Sequence, residues 1–261
     1  MKTCKKCNCP KPIDDFYIKD KKTGRRSTLC KSCDLIREKK RRATPEFKSA
    51  KRAYRKNRYH QDIKYKNKVL LDNHLSRLQI RNNVLDKYGG KCVCCGENKF
   101  EFLSIDHING GGSKEFLKIG HSAFLRKLNN YPLSSDYRVL CRNCNQSLGY
   151  YGYCPHDNGI LRAKPDIVLY SSDWQRRYSE IRKDVINLYG SKCECCNESY
   201  YEFLAIDHVF GNGREERKEI TGRPFLVSLL KVGKKQPNYR LLCHNCNSSF
   251  GYYNRCPHSK E

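Results

Sequence analysis

The sequence predicts small α+β modules stabilised by zinc: an N-terminal zinc ribbon, a basic helical arm, and two tandem units of two strands and a helix. Cysteine pairs spaced Cys-x-x-Cys recur along the chain, whose 261 residues include 17 cysteines. A segment with two such pairs occurs twice, which indicates a duplicated unit. Only 38% of the residues are hydrophobic, so one large core is not expected. Small modules with thin cores need a staple such as a structural metal.

The charge of the chain predicts a nucleic-acid partner. The formal net charge of +25 is typical of a protein that binds a polyanion. An anionic membrane surface is the alternative, but no apolar run approaches the roughly 18 residues of a membrane helix. The N-terminus has no apolar signal region, so paired cysteines in a reducing compartment are expected to bind metal. We therefore expect a cytoplasmic protein that binds nucleic acid, with double-stranded or branched DNA as the first candidate, and no membrane.

Residues 1–36 are predicted to form the zinc ribbon. Two Cys-x-x-Cys pairs lie on either side of a segment with room for a hairpin: Cys4, Cys7, Cys30 and Cys33. Four thiolates in two pairs suit one tetrahedral zinc ion. Cys9 is either a spare thiol or a replacement for Cys7. Ribbons of this kind bind nucleic acid, proteins or nothing, so the spacing predicts the metal and leaves the function open.

Residues 37–83 are predicted to form the basic helical arm. Thr44 and Pro45 have the pattern of an N-cap and a first helical residue. Apolar residues are too sparse to define a buried face, so the segment is either a solvated helix or an arm that contacts phosphates. Few acids offset the bases, which favours phosphate contacts that do not read sequence. The residues assigned to nucleic-acid binding are Lys39, Lys40, Arg41, Arg42, Lys48, Lys51, Arg52, Arg55, Lys56 and Arg58.

The rest of the chain is a duplication. Residues 88–112 recur at 189–213 with an offset of 101, and residues 137–156 recur at 239–258 with an offset of 102. The duplication implies that each unit folds on its own. The predicted boundaries are 84–158 for the first unit, 159–171 for a linker, and 172–261 for the second unit with its leading helix. Trp174, Tyr178, Ile181, Val185 and Leu188 have the helical spacing expected of that helix.

Each repeated unit also carries four cysteines in two Cys-x-x-Cys pairs, together with a short polar motif. Four thiolates in two pairs form a closed zinc site with no position for catalysis. The two sets are Cys92, Cys95, Cys141 and Cys144, and Cys193, Cys196, Cys243 and Cys246. With the ribbon, these sets predict three structural zinc ions.

Asp106, His107 and Asn145 are the candidate catalytic residues of the first unit. Asp106 and His107 are expected at a strand end, and Asn145 begins a helix after the last zinc ligand. Asp and Asn oxygens are hard ligands for Mg²⁺ or Mn²⁺, and a histidine near its normal pKa is a suitable general base. The same roles in the second unit fall to Asp207, His208 and Asn247.

These motifs together resemble the HNH (ββα-metal) endonucleases, and the branch of phage recombination endonuclease VII in particular. The resemblance covers residues 84–156 and 185–258, and rests on Asp-His followed by Leu-Cys-x-x-Cys-Asn inside paired Cys-x-x-Cys motifs. It implies that the Asp and Asn residues bind one Mg²⁺ or Mn²⁺ per unit, and that His107 and His208 activate water. The implied reaction is hydrolysis of DNA phosphodiester bonds, in the cytoplasm of a bacterial host if a phage encodes the chain.

The sequence departs from that family in ways that keep a second hypothesis open. The endonuclease VII branch has a second His where this chain has Asn109 and Phe210, and a Glu where it has Leu148 and Phe250. The alternative is therefore a zinc-stabilised nucleic-acid-binding protein whose units do not cut, an accessory on a polymerase, ribosome or other nucleoprotein. With two units in one chain, a monomeric pseudo-dimer is expected rather than a homodimer.

The end of each unit has two interpretations. Cys154 and His156, with the matching Cys256 and His258, close the repeats. Together with Cys94 and Cys195 they form either a further metal set or a turn packed under the zinc site.

Overall fold

The computed structural model describes residues 1–157 and 173–259. The chain divides into two compact units, Met1–Leu75 and Ser76–Glu261. The linker predicted at 159–171 lies outside the described residues. Within those residues, no helix combines the length and the apolar character needed to cross a membrane.

The first compact unit, Met1–Leu75, begins with a short hairpin and four converging cysteines. Strands β1 (Lys2–Thr3) and β2 (Pro10–Lys11) pair antiparallel. The buried cluster consists of the side chains Cys4, Phe16, Cys30 and Cys33. A core with one large apolar side chain contributes little by burial alone, and a metal held by the four cysteines is the kind of staple that stabilises modules of this size.

Three helices follow the hairpin: α1 is Lys31–Ala43, α2 is Pro45–Gln61 and α3 is Ile63–Lys87. The predicted N-cap is confirmed, because Oγ1 of Thr44 accepts a hydrogen bond from the backbone N–H of Phe47 at 3.3 Å. Helix α2 buries no residue, which agrees with the sparse apolar pattern of this segment.

Helix α3 changes character along its length. Leu71 and Leu75, near its middle, are exposed, whereas Val84 and Leu85, near its end, are buried. The end of α3 therefore belongs to the second compact unit, which begins at Ser76.

The first copy of the repeat is a two-stranded antiparallel sheet with helices. The elements are β3 (Leu103–His107), α4 (Gly112–Ile119), α5 (His121–Asn130), β4 (Tyr137–Cys141) and α6 (Arg142–Tyr151). The register places Asp106 opposite Arg138 and His107 opposite Tyr137. The predicted pair of strands followed by a helix is confirmed.

The second copy has the same order of elements, preceded by a leading helix. They are α7 (Asp173–Leu188), β5 (Leu204–His208), α8 (Gly213–Glu219), α9 (Gly222–Val232), β6 (Tyr239–Cys243) and α10 (His244–Tyr253). Helix α7 is the predicted leading helix, with Val185 fully buried. Asp207 lies opposite Arg240, and His208 lies opposite Tyr239.

The segment between the paired strands is helical in both copies, in addition to the two strands and one helix predicted for each unit. In the first copy, Phe124, Leu125 and Leu128 of α5 are buried and pack with Ile105 and Tyr137. Because strand side chains alternate between faces, α5 covers the face of the sheet that carries His107. Helix α6 contacts both strands of the sheet, and its Asn145 bonds to Ser104 on the other face.

The two copies pack together through one continuous core that contains residues of both, including Leu140, Phe102, Leu242 and Phe203. The duplication predicted that each copy folds on its own, but the buried apolar residues of the two copies form one cluster. The reason is size: one small sheet and its helices leave apolar surface that only a second copy covers.

A reciprocal pair of buried asparagines marks the centre of this interface. The backbone N–H of Asn143 donates to Oδ1 of Asn245 at 3.0 Å, and the N–H of Asn245 donates to Oδ1 of Asn143 at 2.9 Å. Both residues are buried. The pattern is that of a two-fold interface, in which the same residue serves both sides.

We expect the double variant Asn143→Ala with Asn245→Ala to lose about 2–6 kcal/mol of unfolding free energy. Each substitution leaves a buried backbone N–H without its acceptor, at about 1–3 kcal/mol. Urea unfolding at a fixed zinc concentration measures the loss. Asn130→Ala, on an exposed position of α5, is the matched control and should change stability by less than about 0.5 kcal/mol. A double variant as stable as this control would contradict the role given to the asparagines.

Candidate metal centres and active site

The structure brings together the three predicted zinc sets. Within each set the sulfur atoms lie within 4.8 Å of one another: Cys4, Cys7, Cys30 and Cys33; Cys92, Cys95, Cys141 and Cys144; Cys193, Cys196, Cys243 and Cys246. Thiolates are soft ligands that favour zinc. The donors therefore fit three structural zinc sites, as predicted.

Local backbone geometry explains how the thiols converge. Cys141 is the N-cap of α6, and its Sγ accepts from the backbone N–H of Cys144 at 3.5 Å. The Sγ atom of Cys95 lies 3.8 Å from that of Cys141 and 3.7 Å from that of Cys144. Zinc–sulfur bonds of about 2.3 Å in a tetrahedron require sulfur atoms about 3.8 Å apart, so the set is already shaped for the ion.

One ribbon cysteine, Cys4, is also polarised toward the thiolate form. The backbone N–H of Cys30 donates to Sγ of Cys4 at 3.2 Å. Such N–H groups, from Cys30 first and then Cys7, lower the pKa of Cys4 to about 6. A thiol with this pKa is largely deprotonated at neutral pH, as a metal ligand must be.

Asp106 and Asn145 lie on the same face of the first sheet. The amide Nδ2 of Asn145 donates to Oγ of Ser104 at 3.0 Å, and Ser104 precedes Asp106 by two positions on β3, so both side chains point to the side covered by α6. Asp106 is buried, and its Oδ2 accepts from Nε of Arg138 at 2.9 Å. One carboxylate and one amide oxygen are the hard donors that Mg²⁺ or Mn²⁺ takes in small numbers.

His107 lies on the opposite face, in a different environment. Its ring stacks on Phe124 with centroids 5.1 Å apart and meets Tyr137 edge-on at 5.0 Å. Its Nε2 lies 2.8 Å from Oε2 of Glu115, a residue of α4. Lys127, which bonds the other carboxylate oxygen, lowers the pKa of Glu115, and His107 adds to that effect.

The ionised Glu115 determines which ring nitrogen of His107 carries the proton. A carboxylate can only accept, so Nε2 must donate to it, and Nδ1 keeps the lone pair of the neutral imidazole. Nδ1 lies against Gly112, where an added Cβ would come within 2.8 Å of it. Gly112 is therefore needed for the ring to lie in this position.

The second copy repeats the ion pair and the histidine arrangement, but Ala205 stands where the first copy has Ser104, so the hydrogen bond of Asn145 cannot recur at Asn247. Nε of Arg240 donates to Oδ2 of Asp207 at 2.8 Å. His208 pairs with Glu216, and the hydroxyl of Tyr239 donates to the same carboxylate. Burial, followed by that hydrogen bond to Glu216, raises the pKa of Tyr239 to about 12.

Sequence reasoning missed several of these residues. Glu115 and Glu216 are also related by the offset of 101. They lie three residues after the ends of the repeated segments 88–112 and 189–213. Arg138 with Arg240, and Asn143 with Asn245, fall inside the repeated segments. Identity of a polar residue in both copies was the available signal.

The ten basic residues assigned to nucleic-acid binding are all exposed on α1 and α2. Three of them pair with acids of the same region: Arg41 and Arg42 with Glu38, and Arg58 with Asp62. The charge of this arm is therefore offset in part, and the remaining bases face solvent.

The fold and its sites define a small α+β protein with a duplicated unit and three Cys4 clusters that could hold zinc. A scan against models of protein families, a search of curated proteins and a search of solved structures each found no match to the chain.

We expect Arg138→Leu to reduce the unfolding free energy by about 3 kcal/mol, because it leaves a buried carboxylate without its cation. The side chain of Asp106 is 3% exposed, whereas that of Asp207 is 17% exposed. Arg240→Leu, the matched variant in the second copy, should therefore cost less. Urea unfolding of both variants measures the difference, and equal losses would argue against burial as the cause.

Proposed function

We propose that the protein is a metal-dependent endonuclease that hydrolyses DNA phosphodiester bonds with two catalytic units in one chain. The observation that carries the proposal is the placement of Asp106 and Asn145 on one sheet face, with Arg138 bonded to Asp106. In the described part of the chain, Nη2 of Arg138 and Nε of Arg142 are buried without a hydrogen-bond partner. Buried cationic nitrogens next to a hard-cation donor set suit a phosphate group.

The side chains divide the work of hydrolysis between them. Asp106 and Asn145 would hold Mg²⁺ or Mn²⁺, which when bound stabilises negative charge on the phosphate and its leaving oxygen. His107 would be the general base for the attacking water, which requires its ring to move, since it lies on the opposite face from Asp106 and Asn145 with Nδ1 against Gly112. Glu115 would act as a positioning residue, since its bond to Nε2 keeps the lone pair on Nδ1.

Electrostatics supports a polyanionic substrate. The net charge of +25 and the exposed bases of α1 and α2 attract phosphate without selecting a sequence. Affinity for DNA should therefore fall steeply as salt is raised.

A second candidate function has its own support. The ion pair of Arg138 with Asp106 occupies one carboxylate oxygen that a divalent cation would use, and Arg240 does the same to Asp207. If these pairs stay closed, the units bind nucleic acid and do not cut it.

The discriminating experiment is cleavage of a supercoiled plasmid with Mg²⁺ or Mn²⁺. We expect the purified chain to cut, and the double variant Asp106→Ala with Asp207→Ala to cut at least about 100-fold more slowly, because a bound ion contributes several kcal/mol to the transition state. A gel-shift assay should show that the variant still binds DNA. Asp72→Ala removes the same charge at an exposed position of α3 and serves as control.

Two results would go against the nuclease. Failure of the wild-type chain to cut with either ion would favour the binding protein. Unchanged cutting by the double variant would place the activity elsewhere or in a contaminant.

A further inference from the structure

Each copy of the repeat contains a second group of thiols next to its Cys4 set. The sulfur atoms of Cys94, Cys144 and Cys154 lie within 4.8 Å of one another. The equivalent group in the second copy is Cys195, Cys246 and Cys256. Cys154 and Cys256 are buried, at 4% and 3% exposure. Both copies have this arrangement, and in each one cysteine is shared with the Cys4 set. The repetition indicates a functional feature of the unit.

The distance between two of these sulfur atoms matches a zinc site. Sγ of Cys94 lies 3.7 Å from Sγ of Cys154, which is close to the roughly 3.8 Å required between two thiolates on one tetrahedral zinc ion. It equals the distance of 3.7 Å between Cys95 and Cys144 in the neighbouring set. A disulfide would require about 2.0 Å between the two sulfur atoms and would leave the third thiol of the group unused.

A histidine lies beside the shared cysteine of each group. Its ring nitrogens lie outside the set of donor atoms that are all within 4.8 Å of one another, so the ring must shift to become the fourth donor. Nδ1 of His156 lies 3.6 Å from Sγ of Cys144, and Nδ1 of His258 lies 3.3 Å from Sγ of Cys246. Bonds of about 2.3 Å to sulfur and 2.0 Å to nitrogen give an edge of roughly 3.6 Å. Three thiolates and one imidazole form a common closed zinc set.

We propose that each copy binds a second zinc ion through Cys94, Cys154, His156 and a shared thiolate of Cys144, and through the equivalent residues of the second copy. The chain then holds five zinc ions, one in the ribbon and two in each copy. Cys144 and Cys246 each bridge two ions. This assigns a role to both Cys-Pro-His endings of the repeat.

The second ion would also strengthen the interface between the copies. The ring of His156 packs on Phe203 of the other copy, with centroids 4.8 Å apart, and the ring of His258 packs on Phe102 at the same distance. A zinc ion that fixes each histidine therefore fixes a contact across the interface. The Cys-Pro-His ending of each copy would then help to hold the two copies together.

The test is the zinc content of the reduced full-length chain, saturated with Zn²⁺ and then exchanged into metal-free buffer. Elemental analysis and native mass spectrometry should give five ions per chain. The double variant Cys94→Ser with Cys195→Ser should give three, because it removes one ligand from each second site and leaves the Cys4 sets complete. Cys9→Ser, which removes an exposed thiol, should keep five.

Two further measurements keep the proposal falsifiable if the double variant does not fold. Zinc X-ray absorption of the wild-type chain should require nitrogen ligands on part of the zinc, whereas three Cys4 sites alone give sulfur only. Thiol titration after denaturation and metal removal, without reductant, should count all 17 cysteines. Three zinc ions in the wild type, sulfur-only coordination, or a thiol count reduced by disulfides would each overturn the proposal.

Discussion

Removal of zinc is expected to unfold both copies of the repeat together. Structural zinc sites contribute apparent binding free energies of about 10–16 kcal/mol, which is comparable to or larger than the net stability of about 5–15 kcal/mol typical of folded domains. In this chain, Cys141 and Cys243 are buried in the single core that the copies share. Loss of either zinc set therefore removes support from the other copy.

The experiment compares one substitution with a chelator titration. Cys243→Ser lies in the second copy, yet we expect it to lower amide-exchange protection of β3 in the first copy. Circular dichroism during chelation should show one cooperative transition for the repeat. Cys9→Ser is the control and should leave the transition unchanged. Full protection of β3 in Cys243→Ser would mean that the copies fold independently.

His107→Ala and His208→Ala are each expected to convert double-strand cleavage into nicking, a prediction that rests on the proposed function. If each unit cuts one strand, as the proposed function implies, linearisation needs both. Loss of a general base costs about 10²–10⁴-fold in rate, which effectively silences one unit and leaves the other intact.

Supercoiled plasmid with Mg²⁺ or Mn²⁺ separates the outcomes, since nicked and linear products migrate differently. The double variant should bind DNA and cut neither strand. His74→Ala, on an exposed part of α3, should behave as the wild type. If His208→Ala still linearises the plasmid while His107→Ala abolishes all cutting, the second copy is a binding unit only.

The sequence by itself determined the features that depend on short spacings. Cys-x-x-Cys pairs predicted three zinc sets, because two cysteines three positions apart can reach one ion wherever the rest of the chain lies. Thr44 and Pro45 predicted a helix start, because a helix N-cap depends only on residues that adjoin in the sequence. The two strands and following helix of each copy were also visible, since period-two and helical patterns are local properties.

Only the tertiary structure decided which distant residues meet. Asn143 and Asn245 are 102 positions apart and bond to each other, a contact that exists only because two incomplete cores pack together. Arg138 meets Asp106 through strand register. Glu115 recurs as Glu216 at the same offset of 101, but that identity did not indicate that a helix brings Glu115 to His107. Such contacts depend on how the apolar surfaces of distant segments pack together. The spacing of residues along the sequence does not show that packing.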